Sequence, residues 1–244
     1  MFRTLFFFAV FIPWTLFVIV TGIPLSFIRP DYLHSYACTW ARLGLMLAGV
    51  RLEAEGQENI PKDRAVIYMA NHQSNFDILA LYAGLPVQFR WLAKEELFRI
   101  PLFGFAMRRS GYIPIDRSDP KKSLHSMTQA ARRIAEGTSV IVFPEGTRSP
   151  DGSILPFKKG GFILALQAGA PIVPVAIEGC RDVMPKNSRW IRGGTIRVRI
   201  FPSVETADHV AADREQLQEA VRRPIAEAMG QESGIRSQAS ENHS

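Results

Sequence analysis

One histidine and one aspartate, five positions apart in Asn71-His72-Gln73-Ser74-Asn75-Phe76-Asp77, are the residues of this chain best placed to move a proton. The run follows an apolar strand pattern and opens a helical one, and in α/β sheets ligands collect at such carboxyl ends of strands. On one regular helix, positions five apart diverge by about 140° and their side chains cannot meet. With His72 still in the loop and Asp77 in the first helical turn, the loop can fold back. The carboxylate then holds one imidazole nitrogen, and the other is left to take a proton from a substrate hydroxyl. This is a base and its orienting partner without a protein nucleophile. The same residues have a plainer reading. Ser74-x-x-Asp77 matches a capping box with Asp in place of Glu, in which Asp77 caps the helix and His72 is structural. Spacing alone leaves both open.

Two further groups sit at strand ends. Phe143-Pro144-Glu145-Gly146-Thr147-Arg148-Ser149 follows the β-branched run Ser-Val-Ile-Val. There Gly146 permits close backbone approach, Thr147 offers a hydroxyl, and Arg148 can grip a phosphate through two parallel N–H bonds. Glu145, a carboxylate beside that arginine, can orient it or position a hydroxyl. Phe157-Lys158-Lys159-Gly160 brings further positive charge. Lys94 ends the pattern Phe-Arg-Trp-Leu-Ala, and Gly111-Tyr112-Ile113-Pro114-Ile115-Asp116-Arg117 ends in an acid–base pair. Taken singly, each cation reads as surface charge. Their shared placement at strand ends, beside one potential base, suits hydroxyl chemistry on a phosphorylated substrate.

The elements that must hold these residues are legible as alternating patterns. Strands are expected over 65–70, 88–93, 112–115, 139–144, 172–177 and 195–201, and helices over 76–83, 121–136, 161–168 and 212–229. Such alternation predicts an α/β domain with a largely parallel sheet flanked by helices. Pro174, inside Ile-Val-Pro-Val-Ala-Ile, is awkward for a central strand and suggests an edge or a bulge. Residues 5–28 carry no charge and lie between Arg3 and Arg29. As a helix they would reach about 36 Å, enough to cross a bilayer core. Pro13 and Pro24 interrupt the run, so it reads as a kinked span or as short helices dipping into one leaflet. Residues 1–50 are therefore expected to be a membrane-anchoring helical segment, 51–230 the α/β domain, and 231–244 a polar disordered tail.

The formal net charge is +6, which favours anionic partners such as lipid headgroups or phosphates. The basic residues are scattered and no aromatic stacking motif accompanies them, which argues against nucleic acid. Cys38 and Cys180 fall in no CxxC or Cys/His spacing, so neither a disulfide framework nor a zinc site is expected. No HExxH or other ligand cluster predicts a metal.

In four blocks, taken in order, the chain resembles the glycerolipid acyltransferase family, in particular its 1-acyl-sn-glycerol-3-phosphate acyltransferases. These blocks are NHQSNFD at 71–77, Lys94 through the GYIPIDR ending at Arg117, FPEGTRS at 143–149 and IVPVAI at 172–177. The resemblance spans roughly residues 60–180. It implies His72 as general base and Asp77 as its partner. It implies a lysophosphatidic acid phosphate bound by Lys94, Arg117 and Arg148, in a site shaped by Glu145, Gly146 and Thr147. The implied reaction moves an acyl chain from acyl-CoA or acyl carrier protein, as co-substrate, to the sn-2 hydroxyl. No other cofactor is implied. The setting is a membrane, with the catalytic domain on the cytosolic face, as in a bacterial inner membrane. Another lysophospholipid or a lyso-aminolipid as acceptor, and a non-catalytic lipid-binding protein, are the competing readings.

Overall fold

The computed structural model describes residues 1–116, 118–206 and 213–231. Fifteen labelled elements follow one another along the chain: α1 (Phe2–Ser26), α2 (Asp31–Leu47), β1 (Val50–Glu55), β2 (Ile67–Ala70), α3 (Phe76–Gly84), β3 (Arg90–Lys94), α4 (Phe103–Arg109), β4 (Ile113–Ile115), α5 (Pro120–Ala135), β5 (Val140–Val142), α6 (Lys159–Ala168), β6 (Ile172–Glu178), α7 (Cys180–Val183), β7 (Gly194–Ile200) and α8 (Arg214–Ala228). The strands form one seven-stranded sheet in the order β1-β7-β6-β2-β5-β3-β4. Every pairing is parallel except β6 with β7. The central strands are buried on both faces, which is why β2, β5 and β6 read as unbroken apolar runs and not as alternation. Among the described residues, helices cover both sides. One apolar core lies under α2 and α3, and a second lies under α5, α6 and α8.

Pro174 does not mark an edge. It sits in β6, between β2 and β7, opposite Met69. On the β7 side the antiparallel register starts only at Val175 with Ile200, and the next bridge pairs Ile172 with Val204. The register shifts by one residue between those points. Pro174 thus occupies a bulge, where a missing N–H breaks no regular ladder bond.

The amino terminus is a helical hairpin. α1 runs unbroken through Pro13. α2 returns along it, with Trp40 stacked on Phe11 and its indole N–H donating to Thr15 Oγ1 at 2.8 Å. The hairpin is seated on the α/β domain. Phe7 is buried against Phe76, with ring centroids 5.8 Å apart, and its burial stabilises the seat by about 2 kcal/mol. Thr4 Oγ1 accepts from the Ile191 N–H at 3.0 Å. At the far end of α1, Arg109 donates to the Ser26 hydroxyl at 3.0 Å and to its carbonyl at 2.7 Å. The polar tail beyond Gln231, and Arg117, lie outside the described residues.

Candidate active site

Because β2, β5 and β3 are parallel neighbours, the loops that follow them open on one rim. Seven residues of the first loop and its helix turn, Asn71 to Asp77, build the proton-moving pair. His72 Nδ1 lies 2.7 Å from Asp77 Oδ2. That same oxygen accepts from the Gln73 N–H at 2.7 Å and the Ser74 N–H at 2.8 Å. Ser74 Oγ in turn accepts from the Phe76 N–H at 3.1 Å. Both readings of Asp77 are realised together: its carboxylate ties off the loop that enters α3 and, by the same bonds, is aimed at the imidazole. Asp77 is 1% exposed, whereas the His72 side chain keeps 16%. The acid is fixed and the ring can be reached.

Neighbouring segments clamp this loop. The Asn71 side chain bridges to β6, donating to the Ile177 carbonyl at 2.9 Å and accepting from its N–H at 2.7 Å. The Ser149 N–H donates to the His72 carbonyl at 2.7 Å. The imidazole lies flat on Phe143, with centroids 3.8 Å apart and an interplanar angle of 8°, and Phe143 is stacked in turn on Trp91. Cys180 is fully buried beside Asp77, and both burial and that carboxylate push its thiol well above the usual range. It is a protonated wall, not a nucleophile.

Glu145 sits beneath the rim at 2% exposure and does not line the cavity. Its two carboxylate oxygens accept from the His72 N–H at 2.7 Å and the Leu155 N–H at 3.0 Å, so what it holds is the loop that carries His72. Burial pushes its carboxyl up to about 7, against the pull of those two donors. The folded pKa therefore lies above the unfolded one. Stability from this group is complete below about 4.5 and is lost as pH rises through about 7. Between pH 5 and 8 the loss is expected to be on the order of 2 kcal/mol. Glu145→Gln should flatten that slope in thermal melts, whatever constant offset the amide adds. An unchanged slope would remove Glu145 as the titrating group.

A cavity of about 940 Å³ begins at His72. Its polar end carries Lys94, Gly146, Thr147, Arg148, Lys158 and Lys159, and the first turn of α6 opens there through Gly160 and Gly161. Gly146 stands at φ 72°, and a Cβ on it would meet the Lys158 side chain at 3.0 Å. That left-handed backbone is what favours glycine here. Lys94 reaches this end while paired to Glu96 at 3.0 Å. Among the described residues, Arg148, Lys158 and Lys159 make no ion pair. The Arg148 carbonyl is fixed by Lys186 Nζ at 2.6 Å. The apolar end runs between the sheet and the hairpin, past Val18, Ile19, Trp40, Met107 and the hydrogen-bonded hydroxyls of Tyr82 and Tyr112. Base, cations and apolar chamber thus share one space, which suits a molecule with an anionic head and a long hydrocarbon tail.

Of the residues expected from sequence, His72, Asp77, Lys94, Gly146, Thr147 and Arg148 converge here, Glu145 supports them from below, and Arg117 is not described. Lys158 and Lys159, read in the sequence as further positive charge, join them. Their signal was a pair of cations immediately before a helical pattern. Phe143 and the hairpin wall left no signal beyond hydrophobicity.

A family model described as Acyltransferase matches residues 51–178. The chain is 33% identical to the chloroplastic 1-acyl-sn-glycerol-3-phosphate acyltransferase of Brassica napus over 218 residues, covering 87% of this chain and 61% of that one. It is 35% identical to the human 1-acyl-sn-glycerol-3-phosphate acyltransferase alpha over 214 residues, covering 86% and 75%. The crystal structure of the 1-acyl-sn-glycerophosphate (LPA) acyltransferase PlsC from Thermotoga maritima superposes with a TM-score of 0.79 at 28% identity, covering 95% of this chain and 97% of that one.

Proposed function

The chain belongs to the acyltransferase family, and from that premise we propose that it esterifies the sn-2 hydroxyl of 1-acyl-sn-glycerol 3-phosphate, giving phosphatidic acid. The observation that carries this reading is the position of His72, at the junction between a cationic rim and an apolar chamber. The acceptor's phosphate sits among Arg148, Lys158, Lys159 and Lys94, within reach of the free N–H groups of the α6 amino terminus. The donor is an acyl thioester of coenzyme A or acyl carrier protein, and its chain lies in the chamber.

In the reaction, His72 takes the proton of the sn-2 hydroxyl through the nitrogen not held by Asp77. The hydroxyl oxygen attacks the thioester carbonyl and forms the new C–O bond. As the tetrahedral intermediate collapses, the C–S bond breaks and the imidazolium returns the proton to the departing thiolate. Asp77 remains ionised and stabilises the imidazolium. With Cys180 buried and protonated, direct transfer is favoured over an acyl-enzyme.

α1 is anchored to one globular domain at both ends, through Thr4 and through Ser26. That supports a helix lying within one leaflet, its outer face buried in lipid and the domain on the cytosolic side where soluble thioesters are found. Release of free thiol from acyl-CoA should depend on lysophosphatidic acid, with phosphatidic acid as the product. Equal release with monoacylglycerol would sink the phosphate assignment, and no release with any acceptor would sink the activity. Arg148→Ala is expected to raise KM for the phosphorylated acceptor by about 10–100-fold with kcat little changed, the value of one charged hydrogen-bonded contact. Unchanged acceptor kinetics would remove Arg148 from the phosphate site.

A further inference from the structure

We propose that the segment from Leu97 to Phe105, between β3 and α4, is a second membrane-insertion element that seats the catalytic domain on the bilayer beside the cavity. The proposal rests on the reading of α1 as lying in one leaflet.

Five large apolar side chains within this short stretch face outward: Leu97, Ile100, Leu102, Phe103 and Phe105 are each 40–47% exposed. A contiguous apolar surface of this kind marks an interaction site. The segment is built to display them. It winds around Phe98, which is 2% exposed, and Arg108 donates to the Phe98 carbonyl at 2.6 Å. Gly104 lies so close that a Cβ on it would stand 2.2 Å from the same carbonyl oxygen. Leu102 holds φ 61° and ψ −53°, the one non-glycine positive φ among the described residues. Such a conformation in a leucine persists only where the surroundings impose it, and here its effect is to turn an apolar side chain outward.

The bilayer is the occupant that the neighbouring surface favours. α4 abuts the far end of α1, where the Arg109 guanidinium lies 4.1 Å from the Phe27 ring centroid, and Phe27 and Ile28 are 67% and 70% exposed. The patch therefore continues the lipid-facing side of α1. Arg29 is exposed beside Ile28 and in no ion pair among the described residues, complementary to anionic headgroups, whereas Lys94 and Arg99 are exposed but paired with Glu96 and Glu95. Leu97 and Phe103 also line the cavity together with Val18 and Ile19, so the two apolar elements flank one opening for a lipid tail.

The test uses the full chain with Cys38→Ser, since Cys180 is buried. An environment-sensitive fluorophore is placed on Leu102→Cys, on Phe17→Cys in α1, or on Leu124→Cys in α5, and nitroxide lipids in phosphatidylethanolamine–phosphatidylglycerol vesicles serve as quenchers. Quenching at positions 102 and 17 but not at 124 is expected. Quenching at 17 without 102 would overturn the insertion of this segment while leaving the α1 reading intact. No quenching at either position would sink both. Shielding of the position-102 label that grows with protein concentration in the absence of vesicles would assign the face to a second copy and overturn the proposal. Independently, Ile100→Asp with Leu102→Asp should weaken vesicle binding by at least about tenfold, since two side chains of this size leave the lipid. Turnover of detergent-dispersed substrates, which reports a folded enzyme, should stay unchanged. Wild-type vesicle binding by the folded double variant would also overturn the proposal.

Discussion

His72→Ala is expected to lower kcat by about 10²–10⁴-fold, the range that a positioned general base supplies, with KM for the acceptor close to wild type. The reason to expect so clean a loss is that the backbone of His72, not its side chain, ties the loop to the fold. Its N–H donates to Glu145 and its carbonyl accepts from Ser149, and alanine keeps both bonds. What disappears is the ring on Phe143 and its bond to Asp77. Removing a ring that is still partly open to solvent leaves no sealed void, so the cavity cost that accompanies a core deletion is small. Membrane association, which does not draw on the His72 ring, should be unaffected. Initial rates of thiol release at saturating donor and varied acceptor would read the effect. A variant within threefold of wild-type kcat would exclude His72 as the base.

The contrast between backbone and side chain also separates what could be read in the sequence from what could not. The apolar run 65–70 and the β-branched run 139–144 were legible as buried parallel strands, since burial on both faces leaves no alternation to miss. With the strands came the rim, and with the rim the meeting of His72, Gly146 and Arg148. Other features depend on contacts between distant segments, for which local pattern carries no information. Glu145 looked like a rim residue because it stands next to Arg148, yet the turn at Gly146 sends the two side chains apart, one under the loop and one into the cavity. Lys159 opens α6 two residues earlier than the apolar periodicity suggests, because two glycines and two cations make a poor helical pattern where the first turn faces a cavity and not a core. The segment 95–109 was not read as structured. Its apolar residues follow neither the strand nor the helix period, since they are spaced by a tight winding around Phe98.

Asp77→Asn should separate orientation from charge. In the native site one oxygen serves three donors, the His72 ring and the N–H groups of Gln73 and Ser74. An asparagine that keeps its carbonyl oxygen at this point still satisfies the two backbone donors, and these disfavour the flipped amide, whose NH₂ would face three N–H groups. The loop and α3 are therefore expected to survive, and Nδ1 of His72 keeps an acceptor. The negative charge beside the imidazolium is lost, at the step where that cation forms. A fall in kcat of roughly 10²–10⁴-fold with near-normal KM is expected. Asp77→Ala should differ in kind. It leaves two buried N–H groups without an acceptor, at about 1–3 kcal/mol each, so it should unfold the entry to α3 as well as stop turnover. The two residues act as one unit, so adding Asp77→Asn to His72→Ala should cost little further activity. Multiplicative losses in the double variant, or an Asp77→Asn enzyme within threefold of wild type, would show that the carboxylate serves the loop alone.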